Sequence, residues 1–198
     1  MSETNPDFRI IPPDPPRSPE VREFFAANPE LDIASSLAFL NVNYPDKNSW
    51  IVDSGVAVQL LTGKRLDIPR DLDILCRNDA MEADFGHSSG TDPRDRRYID
   101  VKSIDHWLER RVDNVDEQSV WESIIATSSV HEINGAMFRI MHPAIIAAGK
   151  STLARMSPRP KDATDIALLN VTAERLTAAT ELLRGNDPEV QVRLLTVH

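Results

Sequence analysis

The segment WIVDSGVAVQLLTGKRLDIPRDLDIL, residues 50–75, holds a strand, a helix and a second strand in close succession. Trp50, Ile51 and Val52 read as a short buried strand, Asp53-Ser54-Gly55 as a turn, and Val56, Ala57, Val58, Leu60 and Leu61 as an apolar helix closed by Gly63. Asp71-Leu72-Asp73-Ile74-Leu75 reads as a second strand. Alternate side chains of a strand share a face, so Asp71 and Asp73 point one way while Leu72 and Ile74 point into the core. Two neighbouring carboxylates repel unless a cation lies between them, and hard divalent ions take oxygen ligands of this kind. Ser54 and Gly55 precede a helix N-terminus, where free backbone N–H groups and the helix dipole favour an anion, and Gly55 lets a phosphate approach the backbone. A phosphate cradle beside metal-binding carboxylates is the apparatus of phosphoryl or nucleotidyl transfer.

The rest of the chain is consistent with a globular protein. Its 198 residues are 41% hydrophobic and 27% charged, with no apolar run of membrane-spanning length. The opening MSETNPDFRI has neither a basic segment nor an apolar one, so a cytoplasmic protein is expected. The single cysteine, Cys76, follows a core strand and reads as a small buried residue, not a nucleophile. A net charge of −9 argues against a general nucleic-acid coat protein. Residues 133–161 nevertheless carry no Asp or Glu, while Arg139, Lys150, Arg155, Arg159 and Lys161 are basic. That island suits either an anionic substrate or a solvated helix face.

Residues 1–17 read as an extended proline-rich arm, 18–170 as one domain, and 171–198 as a C-terminal helical segment packed on that domain. Ser18-Pro19 opens a first helix ending near Asn28-Pro29, and a second runs to about Tyr44. The polar run 77–97, with Gly86, Gly90 and Pro93, reads as a long loop beside the site, and His87 within it as solvated. Tyr98-Ile99-Asp100-Val101 reads as another strand, with a helix over 103–111. Asn134-Gly135 between alternating strands predicts a type I′ hairpin that extends the sheet. A helix from Pro143 leaves Lys150 free to point away from its apolar face, and 170–184 reads as a helix or a helix pair.

The Ser-Gly turn, short helix and Asp-x-Asp strand resemble the signature of the nucleotidyltransferase superfamily. The segment RPKDATDIALL, residues 159–169, following a helix that carries Lys150, resembles the branch of AbiEii-type and MNT-type toxin–antitoxin proteins and aminoglycoside nucleotidyltransferases. The likeness covers about residues 50–170. Ser54 stands where that family usually has its first glycine, and Arg65 is followed by a connection longer than the family's lead-in to its Asp-x-Asp strand. The resemblance implies an α+β fold, a mixed sheet flanked by helices with further helices at the C-terminus. It also implies transfer of an NMP from an NTP to an acceptor hydroxyl on tRNA, protein or a small molecule, with a toxin or antitoxin partner and no membrane. Asp71, Asp73 and Asp100 would hold two Mg2+ ions, with Mn2+ as a substitute, and Asp100 would act as base. Asp105 is a rival for that role, and Asp100 could instead cap the next helix. Ser54, Gly55, Arg65, Lys150 and Asp165 would bind the nucleotide, with Asp162 as the alternative to Asp165. An exposed Lys150 of this kind would be removable with little loss of stability. Two readings compete: a degenerate, antitoxin-like binding or regulatory module, for which Ser54 speaks, and a glycosyltransferase Asp-x-Asp motif, which explains neither the Ser-Gly helix start nor the Lys-Asp-x-x-Asp segment.

Overall fold

Trp50, Ile51 and Val52 form β1 (Trp50–Val52), and none is more than 1% exposed. A strand covered on both faces belongs in the middle of a sheet. In the computed structural model, which describes residues 16–30, 32–64, 71–86, 99–109, 116–156, 159–184 and 194, β1 is the central strand. Its neighbours are β2 (Leu72–Cys76), β3 (Ile99–Ser103), β4 (Ser129–Ile133) and β5 (Ala136–Ile140), in the order β3-β2-β1-β5-β4. β1 runs antiparallel to β2 and parallel to β5, β2 and β3 are parallel, and β4 and β5 form an antiparallel hairpin. With its flanking helices this mixed sheet makes the α+β fold that the sequence leads one to expect. Asn134 and Gly135 both take positive φ, +52° and +82°, as a type I′ turn requires.

Helix α1 (Pro19–Ala27) starts where Ser18-Pro19 predicts, the Ser18 hydroxyl accepting from the Val21 N–H at 3.3 Å. Asp32 caps α2 (Ile33–Asn43) in the same way. Apolar α3 (Ser54–Thr62) buries Val56, Ala57 and Val58 and stops at Gly63, in the left-handed conformation. The polar run 77–97 is not all loop: it contains α4 (Asp79–Phe85). Asn78 caps that helix, and Met81 and Phe85, four residues apart, bury one face. Phe85 meets Phe39 of α2 edge-on, and Phe39 stacks on Phe24 of α1 at 4.3 Å. Residues 87–98, His87 among them, lie outside the described residues.

Ser103 ends β3 and does not open the next helix, which is α5 (Ile104–Glu109). There follow α6 (Glu117–Thr127), α7 (Pro143–Met156), α8 (Pro160–Leu169) and α9 (Ala173–Leu182). Residues 170–184 hold one helix, α9, separate from α8: Asn170, at φ +48°, ends α8, and Thr172 caps α9. α7 packs against α8, α9 and α3, and Ala178, Ala179 and Leu182 of α9 join the same core as β1. Each fully buried Leu, Ile or Val side chain there contributes roughly 1.5–3 kcal/mol relative to exposure. Cys76 is buried as expected, and its thiol is pushed up to about 12 by burial first and then by the nearby Glu82 carboxylate. No helix among the described residues is long and apolar enough to cross a membrane.

Candidate active site

Strand directions bring four chain segments to one end of the sheet. β1 leaves it at Val52, opposite Ile74 of antiparallel β2, so Asp53 follows on one side and Asp73 precedes on the other. The Asp53 N–H donates to the Asp73 carbonyl at 3.0 Å and ties them together. β3, parallel to β2, places Asp100 directly opposite Asp73. β5, parallel to β1, ends beside it, with the Met141 N–H donating to the Val52 carbonyl at 3.1 Å, so His142 and the start of α7 arrive at the same end. Asp71 lies just outside β2, one residue before its first paired position.

The structure thus brings Asp73 and Asp100 together as cross-strand neighbours on one face of strands about 5 Å apart. Leu72 and Ile74, at 0% and 2% exposure, take the core side as the alternation predicts. What reading for carboxylates missed is the cation between the two. The Lys102 ammonium donates to Asp100 Oδ2 and stands 3.8 Å from Asp73 Oδ1. The signal was in the sequence, because Lys102 lies two residues beyond Asp100 and therefore on its face. Asp53 is the second omission. It is only 6% exposed, and its carboxylate accepts from Trp107 Nε1 at 3.1 Å.

These neighbours shape the charge of the site. Burial pushes the Asp73 carboxyl up to about 7, opposed by Lys102 and reinforced by the Asp71, Asp100 and Asp53 carboxylates. Burial works against the Lys102 ammonium, yet Asp100, Asp73 and Asp53 together hold its pKa above the usual lysine value. His142 sits close to Arg175, and its imidazole is pushed down to about 4, first by burial and then by that guanidinium. Its Nδ1 accepts from the Ala144 N–H at 3.2 Å, which leaves Nε2 to carry the proton of the neutral ring.

At the turn, Ser54 takes φ +55°, a left-handed backbone at the position where the resembled family has glycine. A Cβ built on Gly55 would meet nothing within 4 Å, so the space over this helix start is open on the protein side. Arg65 lies outside the described residues.

Lys150 is paired with carboxylates of α8 and is not an exposed side chain. It is 6% exposed, and it donates to Asp162 Oδ1 at 3.2 Å and to Asp165 Oδ2 at 2.7 Å. Arg159 grips the fully buried Asp162 from the other side, Nε to Oδ2 at 2.7 Å and a terminal nitrogen to Oδ1 at 3.1 Å. Two cations and two carboxylates thus form a neutralised knot between α7 and α8, and the exposed Lys150 on which the expectation of little stability loss rested is in fact buried. Asp162 and Asp165 both belong to it. Asp105, the rival to Asp100, is on α5 and not on β3 beside Asp73.

The donor set at the sheet end suits a hard cation in kind, with carboxylate oxygens on one face and a cation already between them. Among the described residues, no group of three or more His, Cys, Asp or Glu side chains is gathered round one point. Set against known proteins, the chain matches no family model and no curated protein.

Proposed function

We propose that the chain is a nucleotidyltransferase that moves an NMP from an NTP to an acceptor hydroxyl. The observation that carries this reading is the register Asp73 opposite Asp100, at the sheet end where the Asp53-Ser54-Gly55 turn opens α3. The α3 N-terminus would offer backbone N–H groups to a triphosphate, and nothing lies within 4 Å of the Cβ position of Gly55 to obstruct its approach there. Asp73 and Asp100 are the residues that would hold Mg2+ or Mn2+, with Asp71 beside them. The bound ion would supply charge neutralisation for the phosphates and for departing pyrophosphate. In the reaction the acceptor oxygen attacks the α-phosphorus, the bond to the β-phosphate oxygen breaks, and the hydroxyl proton passes to the Asp100 carboxylate. Candidate acceptors are tRNA, a partner toxin or antitoxin protein, and a small molecule.

A second reading is favoured by one observation, the Lys102 ammonium that already neutralises the carboxylate pair. In it the protein keeps the fold and binds nucleotide without transferring it. Incubation with each labelled NTP, Mg2+ and whole-cell RNA or lysate separates the two. Label on a macromolecule or small acceptor, lost on chelation, supports the transferase. Nucleotide bound without transfer supports the binding module, and no binding of any NTP defeats both.

A further inference from the structure

We infer that Lys102 is a tethered counter-ion that competes with a divalent cation for the Asp73–Asp100 pair and so sets the metal affinity of the protein. The inference deepens the transferase reading, on which it rests for the choice of a divalent metal as competitor. Strand alternation fixes Lys102 on the face of Asp100, and its ammonium bonds Asp100 and lies 3.8 Å from Asp73. The side chains of Asp73 and Asp100 are 22% and 18% exposed, whereas that of Lys102 is 34% exposed, so the cation is the most exposed member of the trio. A lysine is a flexible point charge that leaves by rotating its stem, without moving the strand. Lys150 offers the contrast: its side chain is 7% exposed and bonded to two carboxylates, and it is fixed in place. A divalent ion and an ammonium repel at the distances between these oxygens, so each excludes the other from the pair. Neutralisation by Lys102 also accounts for two neighbouring acids at a half-buried strand position.

The test is calorimetric titration of the full-length protein with Mn2+. Lys102→Met and Lys102→Gln should bind Mn2+ about tenfold tighter than the wild type or more, a gain of roughly 1.4 kcal/mol or more. Lys102→Arg, which keeps the charge, should stay as weak as the wild type, and adding Asp73→Asn to Lys102→Gln should remove the gain. Equal or weaker Mn2+ binding by both neutral variants overturns the inference, as does a gain that survives the loss of Asp73. Tighter Mn2+ binding in a protein that transfers no nucleotide leaves the inference standing and removes the transferase reading. Transfer activity with unchanged Mn2+ affinity in the neutral variants does the reverse.

Discussion

Ser54 holds a left-handed backbone at the turn that opens α3, a conformation costing a residue with a Cβ roughly 1–2 kcal/mol. Ser54→Gly should therefore stabilise the protein by about 1 kcal/mol in chemical denaturation, and an unchanged or lower midpoint would show that the hydroxyl offsets the strain. Gly55 has open space where a Cβ would go, so Gly55→Ala should fold like the wild type yet lose NTP affinity if a phosphate approaches this backbone. The same end of the sheet carries two groups whose pKa shifts pull stability in opposite directions. Asp73, pushed up to about 7, keeps a proton in the folded protein that an unfolded aspartate releases near pH 4, so this group lowers stability as pH rises from about 4 to 7. His142, pushed down from 6.5 to about 4, stays neutral in the fold while the unfolded chain takes up a proton, so this group lowers stability as pH falls through the same window. Asp73→Asn should thus leave stability rising with pH between about 4.5 and 6.5, and His142→Gln should leave it falling. Urea unfolding at stepped pH checks both, and parallel pH profiles for the two variants would refute the opposition.

At the scale of elements, α7 and α8 are joined by a charge knot that an apolar count does not reveal. Removing Lys150 leaves Asp165 without its cation and the fully buried Asp162 with Arg159 alone, so Lys150→Ala should cost roughly 1.5–3 kcal/mol. A loss under about 1 kcal/mol would mean that the lysine is free to serve a ligand. The Ser18 cap, the Gly63 stop and the Asn134-Gly135 turn were legible because each is set by chemistry within a few residues. Strand period alone gave Asp73 its face, whereas Asp100 was expected beside it only by family resemblance, and its place opposite Asp73 needed the β2–β3 register. α4 was not, because Met81 and Phe85 are spread through a run of acids and the packing of Phe85 on α2 decides the helix. The burial of Lys150 was hidden for the same reason, since it depends on how α8 lies against α7. Lys102 lay in plain view, yet its partner could be chosen only once β2 and β3 were in register.

Across the whole molecule, the net charge of −9 and the acid-free run 133–161 pull against each other in the choice of acceptor. The fold breaks that run into parts with different duties. Lys150 is inside, and Arg139 is committed to Asn48 and Ser128 at 3.2 and 3.0 Å. Arg155, Arg159 and Lys161 remain exposed near the α7–α8 junction, but Arg159 also holds Asp162, so reversing its charge would disturb the knot. The informative variant is therefore the Arg155→Glu, Lys161→Glu pair. If the acceptor is RNA, these two residues supply phosphate contacts, transfer should fall steeply with added salt, and the double reversal should cost transfer severely and flatten the salt slope by about 2. NTP binding measured without acceptor should be unchanged, because both side chains are exposed and, among the described residues, neither is bonded to Asp73, Asp100 or Lys102. Loss of NTP affinity would assign the exposed cations to the triphosphate. Unaltered transfer at every salt concentration would make them a solvated helix face and leave a protein or small-molecule acceptor, which needs no cationic track to be held.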